Sequence, residues 1–257
     1  MIDLTNCQKV KVNNQYYDEY YEYQEKIYYL RWTPNFYELI ISKIANYLEI
    51  ESVSYQLAIR NNKKYIISEN FIDDGTNFKD GYDIISEYKK KHEIGNVGSI
   101  NEERFNNLED LSILLKETFK EDSSLMMKKL NSIFSFDVIV GYSDRQSPNW
   151  GVLYSSFGAK LAPMYDGKWS FNLANPALLV SDYDRGKNLD DIIHHFLNTA
   201  DSSSIDNFIR YYEILDSDKL KEIVLSTEKE NGIFYDVPKI CKRFESRRSV
   251  ITKVLRK

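Results

Sequence analysis

The polar–apolar rhythm of the chain changes several times. Residues 8–32 read as strands, clearest at Lys26-Ile27-Tyr28-Tyr29-Leu30-Arg31-Trp32, where aromatic and β-branched side chains favour extended backbone. Thr33-Pro34-Asn35 is a break or a helix start, since proline suits the first helical turn. From Phe36 to Leu48 the apolar residues Leu39, Ile40, Ile44, Tyr47 and Leu48 recur at helical spacing. Two strands follow, Val53–Ile59 and Lys64–Ser68, joined by a turn at Arg60-Asn61-Asn62-Lys63.

Beyond Phe71 the pattern shifts. The segment from Asp73-Asp74-Gly75 to Asp80-Gly81 is polar and contains glycine, which marks it as a boundary. Helical spacing then covers about 82–91, 102–119 and 122–135. A compact β insert is expected from about 137 to 166, and helices again at 189–198, 204–212, 216–230 and 236–256. These elements predict an α+β protein of two lobes, a small β-rich N-lobe (1–72) and a larger, mainly helical C-lobe (73–257) with a β-hairpin at 137–166. No internal repeat is evident.

Composition narrows the function classes. The 257 residues are 42% hydrophobic, enough for a sizeable core. A charged fraction of 28% with a net charge of −5 argues against long disorder and against a dedicated nucleic-acid surface. No apolar run is long enough to cross a bilayer, and the first residues lack a signal-peptide pattern. Cys7 and Cys241 support neither a disulfide framework nor a cysteine zinc site. The expectation is a soluble cytoplasmic protein with no membrane and no direct nucleic-acid partner.

The chemistry concentrates in one stretch. The apolar run Phe136-Asp137-Val138-Ile139-Val140 leads to Gly141-Tyr142-Ser143-Asp144-Arg145-Gln146-Ser147-Pro148-Asn149, and a second run follows Asn149. A reversal at Phe157-Gly158 then leads to Leu161-Ala162-Pro163-Met164-Tyr165-Asp166. A fold-back between 157 and 158 would set Asn149 opposite Asp166, on the same face of an antiparallel pair. An amide oxygen and a carboxylate so placed suit a hard cation such as Mg²⁺, with phosphates and water completing its shell. Asp144 and Asn149 also have the Asp-x-x-x-x-Asn spacing of a kinase catalytic loop, in which a later Asp holds metal as well. An ordinary polar hairpin, with Asp and Asn as turn-formers, is the competing reading.

Asp144-Arg145-Gln146-Ser147-Pro148-Asn149-Trp150-Gly151, followed by Leu161-Ala162-Pro163-Met164-Tyr165-Asp166, resembles the signature Asp-Arg-His-x-x-Asn-x-Gly … Ala-Pro-x-Tyr-Asp of HipA-like serine/threonine kinases. That family includes toxins of bacterial toxin–antitoxin systems and is distantly similar to phosphoinositide kinases. Leu30-Arg31, Glu38, Ser54-Tyr55-Gln56-Leu57-Ala58, Glu69-Asn70-Phe71 and Arg247-Arg248 follow the family's order, so the resemblance runs from about residue 24 onward. It implies a protein-kinase-like fold, ATP and Mg²⁺ as cofactors, a protein substrate and an antitoxin partner. It also implies Asp144 as catalytic base and Asn149 and Asp166 as magnesium ligands. Glu69, Asn70 and Phe71 would form the adenine hinge, with Arg31 at the phosphates and Glu38 paired to it.

This chain departs from the pattern in three ways: Arg31 stands where the family usually has lysine, Gln146 replaces its histidine, and no glycine precedes Gly75. Lys26 is an alternative to Arg31, although its opposite strand parity argues against it. An inactive pseudokinase that binds nucleotide or partners, and a small-molecule kinase, are the other readings. His194-His195, Lys89-Lys90-Lys91-His92 and Lys239–Lys257 are expected to be surface or terminal-helix features. The tyrosines of 16–23 are expected in the core, and Ser123, Ser124 and the serines of 201–204 are unspecific hydroxyls.

Overall fold

Aromatic alternation in the first part of the chain builds a curved sheet whose two faces serve different purposes. The computed structural model describes residues 1–10, 19–31, 35–92, 108–167, 170–171 and 189–256. Strands β1 (Ile2–Asp3), β2 (Lys9–Val10), β3 (Glu19–Tyr23), β4 (Lys26–Arg31), β5 (Tyr55–Arg60) and β6 (Lys63–Glu69) form one sheet in the order β1-β5-β6-β4-β3-β2. All its pairings are antiparallel except β1 with β5. Two tight reversals set its register, at Gln24-Glu25 and Asn61-Asn62. All four residues have positive φ, the conformation a two-residue hairpin turn requires. Side chains alternate along β4: Tyr28 and Leu30 pack with Leu4, Tyr21, Ala58 and Ile67 on one face, and Tyr29 and Arg31 look into a cleft on the other.

Helix α1 (Tyr37–Tyr47) is apolar on two sides because it is covered on two sides. Leu39 joins Val53, Leu57 and Ile66 of the sheet, whereas Ile40, Ile41, Ile44 and Ala45 belong to the large core of the helical part. That part contains α2 (Gly81–Lys91), α3 (Leu108–Phe119), α4 (Ser123–Val140), α5 (Leu189–Thr199), α6 (Ser202–Ile214), α7 (Ser217–Asn231) and α8 (Val237–Leu255). A second sheet, β7-β8-β9, comprises β7 (Asn77–Asp80), β8 (Gly151–Ser155) and β9 (Gly158–Leu161). The fold is α+β, a curled β-sheet part joined to a larger helical part. No helix among the described residues is long and apolar enough to cross a membrane.

Two expectations need correcting. Residues 137–140 are not strand: α4 continues to Val140 and stops at Gly141, whose φ of 72° supplies the left-handed cap. Every residue from Ile133 to Val140 is buried, so this end of the helix has no exposed polar face and its apolar run imitates an interior strand. The polar segment around 73–81 is not only a connection, because Asn77–Asp80 pairs along β8 from Tyr154 to Gly151. At its end Gly81 is obligatory: an added Cβ would lie 2.2 Å from the Trp150 ring and 2.6 Å from the Ser147 carbonyl oxygen. The histidines of α5 and the lysines ending α2 are surface features, and Tyr20 and Tyr21 are buried. Tyr16 and Tyr17 lie outside the described residues.

Helix α6 is tied down at its start. The Asp201 carboxylate accepts the Ser204 N–H at 3.1 Å and the hydroxyls of Ser203 and Ser204 at 2.6 and 2.7 Å, while Asn131 of α4 donates to Ser204 Oγ at 3.0 Å. These donors, the Ser203 hydroxyl foremost, lower the pKa of Asp201 to about 2. Asp201→Ala should destabilise the protein by about 1 kcal/mol, and Asp201→Asn by less, in urea unfolding at neutral pH. Because the folded pKa is depressed, this contribution is complete above the ordinary aspartate range. It fades as pH falls from about 4 to about 2, so the wild-type and Ala variants should converge in stability over that window.

Candidate functional site

The cleft of ≈ 270 Å³ between the first sheet and the β7-β8-β9 sheet collects residues that are far apart in the chain. One wall is aromatic. Phe71 stacks on Tyr165 (centroids 6.0 Å apart, 17° between planes), and Phe78 meets both rings edge-on at 5.6 and 6.1 Å. The Tyr165 hydroxyl donates to the Pro148 carbonyl at 2.9 Å, which fixes that ring. Among the described residues lining the cleft, Arg31 is the one cation, against the carboxylates of Glu69, Asp80 and Asp166.

Arg31 ends β4 and points into this space. Its Nη1 lies 2.8 Å from Glu38 Oε1 and 3.5 Å from Asp166 Oδ1. Glu38 is wholly buried on the first turn of α1, and the Arg31 side chain is 16% exposed. Burial opposes the guanidinium charge, but Tyr55, Glu38 and Asp166 more than offset that, so the Arg31 pKa moves up. The Arg31 Nε is buried and makes no hydrogen bond among the described residues. Asp166 adopts φ 56°, an uncommon backbone for a non-glycine residue, and its N–H donates to the Tyr55 hydroxyl at 2.9 Å. Gly167 follows because α1 leaves no room: a Cβ there would meet Ile41 at 2.6 Å.

The second half of the site hangs on Arg145, which is 1% exposed. Its Nε and Nη2 donate to the two oxygens of Asp137 at 2.9 and 3.1 Å, a bidentate pair. Its Nη1 donates to the carbonyls of Asn149 (2.8 Å) and Tyr165 (2.6 Å). The guanidinium also lies 4.3 Å from the centre of the Tyr142 ring, and the Tyr142 hydroxyl donates to the Asp144 carbonyl at 3.0 Å. Burial opposes the charge on Arg145, but Asp137 outweighs it, so the arginine stays protonated with a raised pKa. Asn149 closes a 3-10 turn, Ser147–Asn149. Its side-chain Nδ2 donates to the Asp144 carbonyl and lies 3.4 Å from the Asp144 carboxylate. The carbonyl end of that amide therefore faces away from Asp144.

The hairpin register differs from the expected one. The turn sits at Ser156-Phe157, with Ser155 opposite Gly158 and Val152 opposite Leu161, so Asn149 and Asp166 are not ladder partners. Pairing ends where the Ala162 N–H donates to the Gly151 carbonyl. Met164 then leaves to bridge Ser52, bonding Glu51 and Val53 of the first sheet's approach at 2.9 Å each. That detour carries Asp166 beneath Arg31, and Asn149 and Asp166 line one cleft by this route.

Of the expected site residues, Arg31, Glu69, Asn70, Phe71, Asn149 and Asp166 all line the cleft, and Glu38 backs Arg31. Asp144 is half-buried beside Asn149. Lys26 is excluded, because it faces out and pairs with Glu69 at 2.7 Å. Sequence reasoning missed Asp137, the positioning role of Arg145, and the aromatic wall of Phe78 and Tyr165. A lone carboxylate inside the run Phe136–Val140 was the available signal for Asp137, since a buried charge demands a partner. Arg247 of α8 is also buried and donates to the Val138 carbonyl at 2.5 Å, supporting the end of α4 that carries Asp137.

Asp137→Ala should destabilise the protein by roughly 3–5 kcal/mol, because it strands a buried guanidinium. The double change Asp137→Leu with Arg145→Met should be less destabilising than the two single losses summed. Urea unfolding of the two single variants and the double variant measures that coupling, and additive losses would show that the pair is not a unit.

No family model and no curated protein matches this sequence. Solved structures do match in fold. The chain superposes on the proinflammatory kinase CtkA of Helicobacter pylori with a TM-score of 0.70 at 17% identity, covering 99% of this chain and 97% of CtkA. It also superposes on HipA of Shewanella oneidensis MR-1, determined with HipB and operator DNA, with a TM-score of 0.60 at 12% identity. That match covers 89% of this chain and 59% of the HipA chain. The fold of this protein is therefore the kinase-like fold shared by CtkA and HipA.

Proposed function

We propose that this protein is an ATP- and Mg²⁺-dependent serine/threonine protein kinase of the HipA-like type. The observation that carries the proposal is the convergence of the buried Arg31–Glu38 pair with Asn149 and Asp166 on one cleft. The fold shared with the kinase CtkA supports it.

In this reading the adenine enters beside Glu69, Asn70 and Phe71, whose backbone supplies hinge contacts and whose aromatic neighbours Phe78 and Tyr165 supply an apolar slot. Arg31 binds phosphate, oriented by Glu38. Asp144 accepts the proton of the attacking hydroxyl, and Asn149 orients that carboxylate through its amide. Asn149 and Asp166 offer the oxygen donors that suit magnesium and would hold it. When bound, that ion neutralises charge on the phosphates. The chain divides on this view into an N-lobe of 1–72 and a C-lobe of 73–257. By likeness to HipA, solved with HipB, an antitoxin-like protein is the proposed partner and the cytoplasm the proposed workplace.

A second reading, a nucleotide-binding pseudokinase, is favoured by the contact of Arg31 with Asp166, which sets a cation against a proposed metal ligand. Purified protein with radiolabelled ATP and Mg²⁺, with and without cell lysate, separates the two. The kinase reading expects label on the protein or on a lysate band, reduced at least about 100-fold in Asp144→Ala and lost in Asp166→Ala. Unchanged labelling in either variant removes the assignment. No label, together with a thermal shift by ATP that needs no Mg²⁺, establishes the pseudokinase.

A further inference from the structure

We propose that Arg31 is a gate that makes metal binding at Asp166 conditional on nucleotide. The inference rests on the magnesium–nucleotide reading of the cleft and concerns one feature of it: an arginine at the end of β4 shared between two carboxylates.

The geometry sets up the coupling. Glu38 is wholly buried on α1, so it stays with Arg31 whatever enters the cleft. Asp166 is largely buried but lines the cleft, with Oδ1 3.5 Å from the same Nη1, and its backbone is pinned by Tyr55. A divalent cation arriving alone at Asp166 would sit against the Arg31 guanidinium, and two cations competing for one carboxylate repel. A phosphate arriving alone meets Asp166 and the buried Glu38. The two together suit both groups, with phosphate on Arg31 and the cation on Asp166. The Arg31 Nε, a buried donor with no hydrogen bond among the described residues, marks the edge of the guanidinium that neither carboxylate holds, and a small shift of the side chain would present that edge to a phosphate. A phosphate oxygen taken up there draws the guanidinium off Asp166 while Nη1 keeps Glu38, because the planar fork presents its donors on different edges.

The test reads metal binding rather than catalysis. Mn²⁺ binding to the full chain is measured by electron paramagnetic resonance, alone and with a non-hydrolysable ATP analogue. The comparison variant is Arg31→Met with Glu38→Gln, chosen so that the wholly buried Glu38 is not left charged without its guanidinium. The gate predicts that nucleotide-free Mn²⁺ affinity rises in the variant by roughly 5–150-fold, the usual span of such couplings. Equal nucleotide-free affinity in the two proteins, with the analogue still bound by the wild type, overturns the gate and leaves the nucleotide site standing. Analogue binding by the wild type without any Mn²⁺ uptake makes Arg31 a permanent plug and also overturns the gate. No analogue binding by the wild type under any condition overturns the underlying reading of the cleft and the gate with it. If the variant does not fold, the ¹⁵Nε resonance of Arg31 in the wild type decides. It should move with Mg²⁺ and analogue together and stay in place with Mg²⁺ alone, and a shift with Mg²⁺ alone refutes the gate.

Discussion

A guanidinium in a dry interior needs a carboxylate, and the rest of this site depends on how Arg145 meets that need. Asp137 rises from the last turns of α4 and takes two of its donors, which leaves Nη1 for the carbonyls of Asn149 and Tyr165. One side chain therefore spaces the loop of Asp144 and Asn149 relative to the segment that delivers Asp166. No ladder hydrogen bond could have done so, because the β8-β9 pairing has already ended. Tyr142 adds a ring against the guanidinium and a hydroxyl on the Asp144 carbonyl. Arg247 secures the α4 end from behind, through the Val138 carbonyl. The loops around the cleft are polar and short, and a buried ion pair on a core helix gives them a fixed reference.

This arrangement explains why some of the molecule could be read from residue order and some could not. Elements with one wet and one dry face were legible: α1 by its 3.6-residue spacing, β4 by its alternation, and the Asn61-Asn62 reversal by residues that tolerate positive φ. The end of α4 was not, because burial on all sides removes the periodic signal. β7 was hidden too, since Asn77, Lys79 and Asp80 are poor strand formers held extended by β8. In the site, residue types and spacing pointed to Asn149 and Asp166, but the reason offered, direct pairing across a hairpin, was wrong: the register is two residues off and the ladder ends before it reaches Asn149. The two line one cleft because Met164 leaves β9 to join the strand approach at Ser52, a non-local contact that no local pattern encodes.

Helix α1 links the fold to the chemistry. Its sheet-facing and helix-facing residues bind the two parts of the molecule together, and Glu38 sits on its first turn, at the junction. A carboxylate buried there is tolerable only because Arg31 comes from β4 to meet it. The pair therefore serves a structural need, compensating a buried charge, and at the same time directs a cation into the cleft.

The charge balance of that cleft bears on what can enter it. Arg145 is neutralised by Asp137, so among the described residues lining the cleft Arg31 is the one cation, beside Glu38 and Asp166 and with Asp144 close by. The balance is negative, and a polyphosphate entering without cations would add like charge to a site of low dielectric, where repulsion is strong. An anionic ligand is compatible with these residues only if it brings positive charge with it. Asn149 and Asp166, as hard oxygen donors, are the groups able to receive that charge. The same excess of carboxylate that looks hostile to a nucleotide is thus an argument for a nucleotide carrying its metal. It also explains why a permanently charged arginine, rather than a lysine whose charge burial can remove, suits the end of β4.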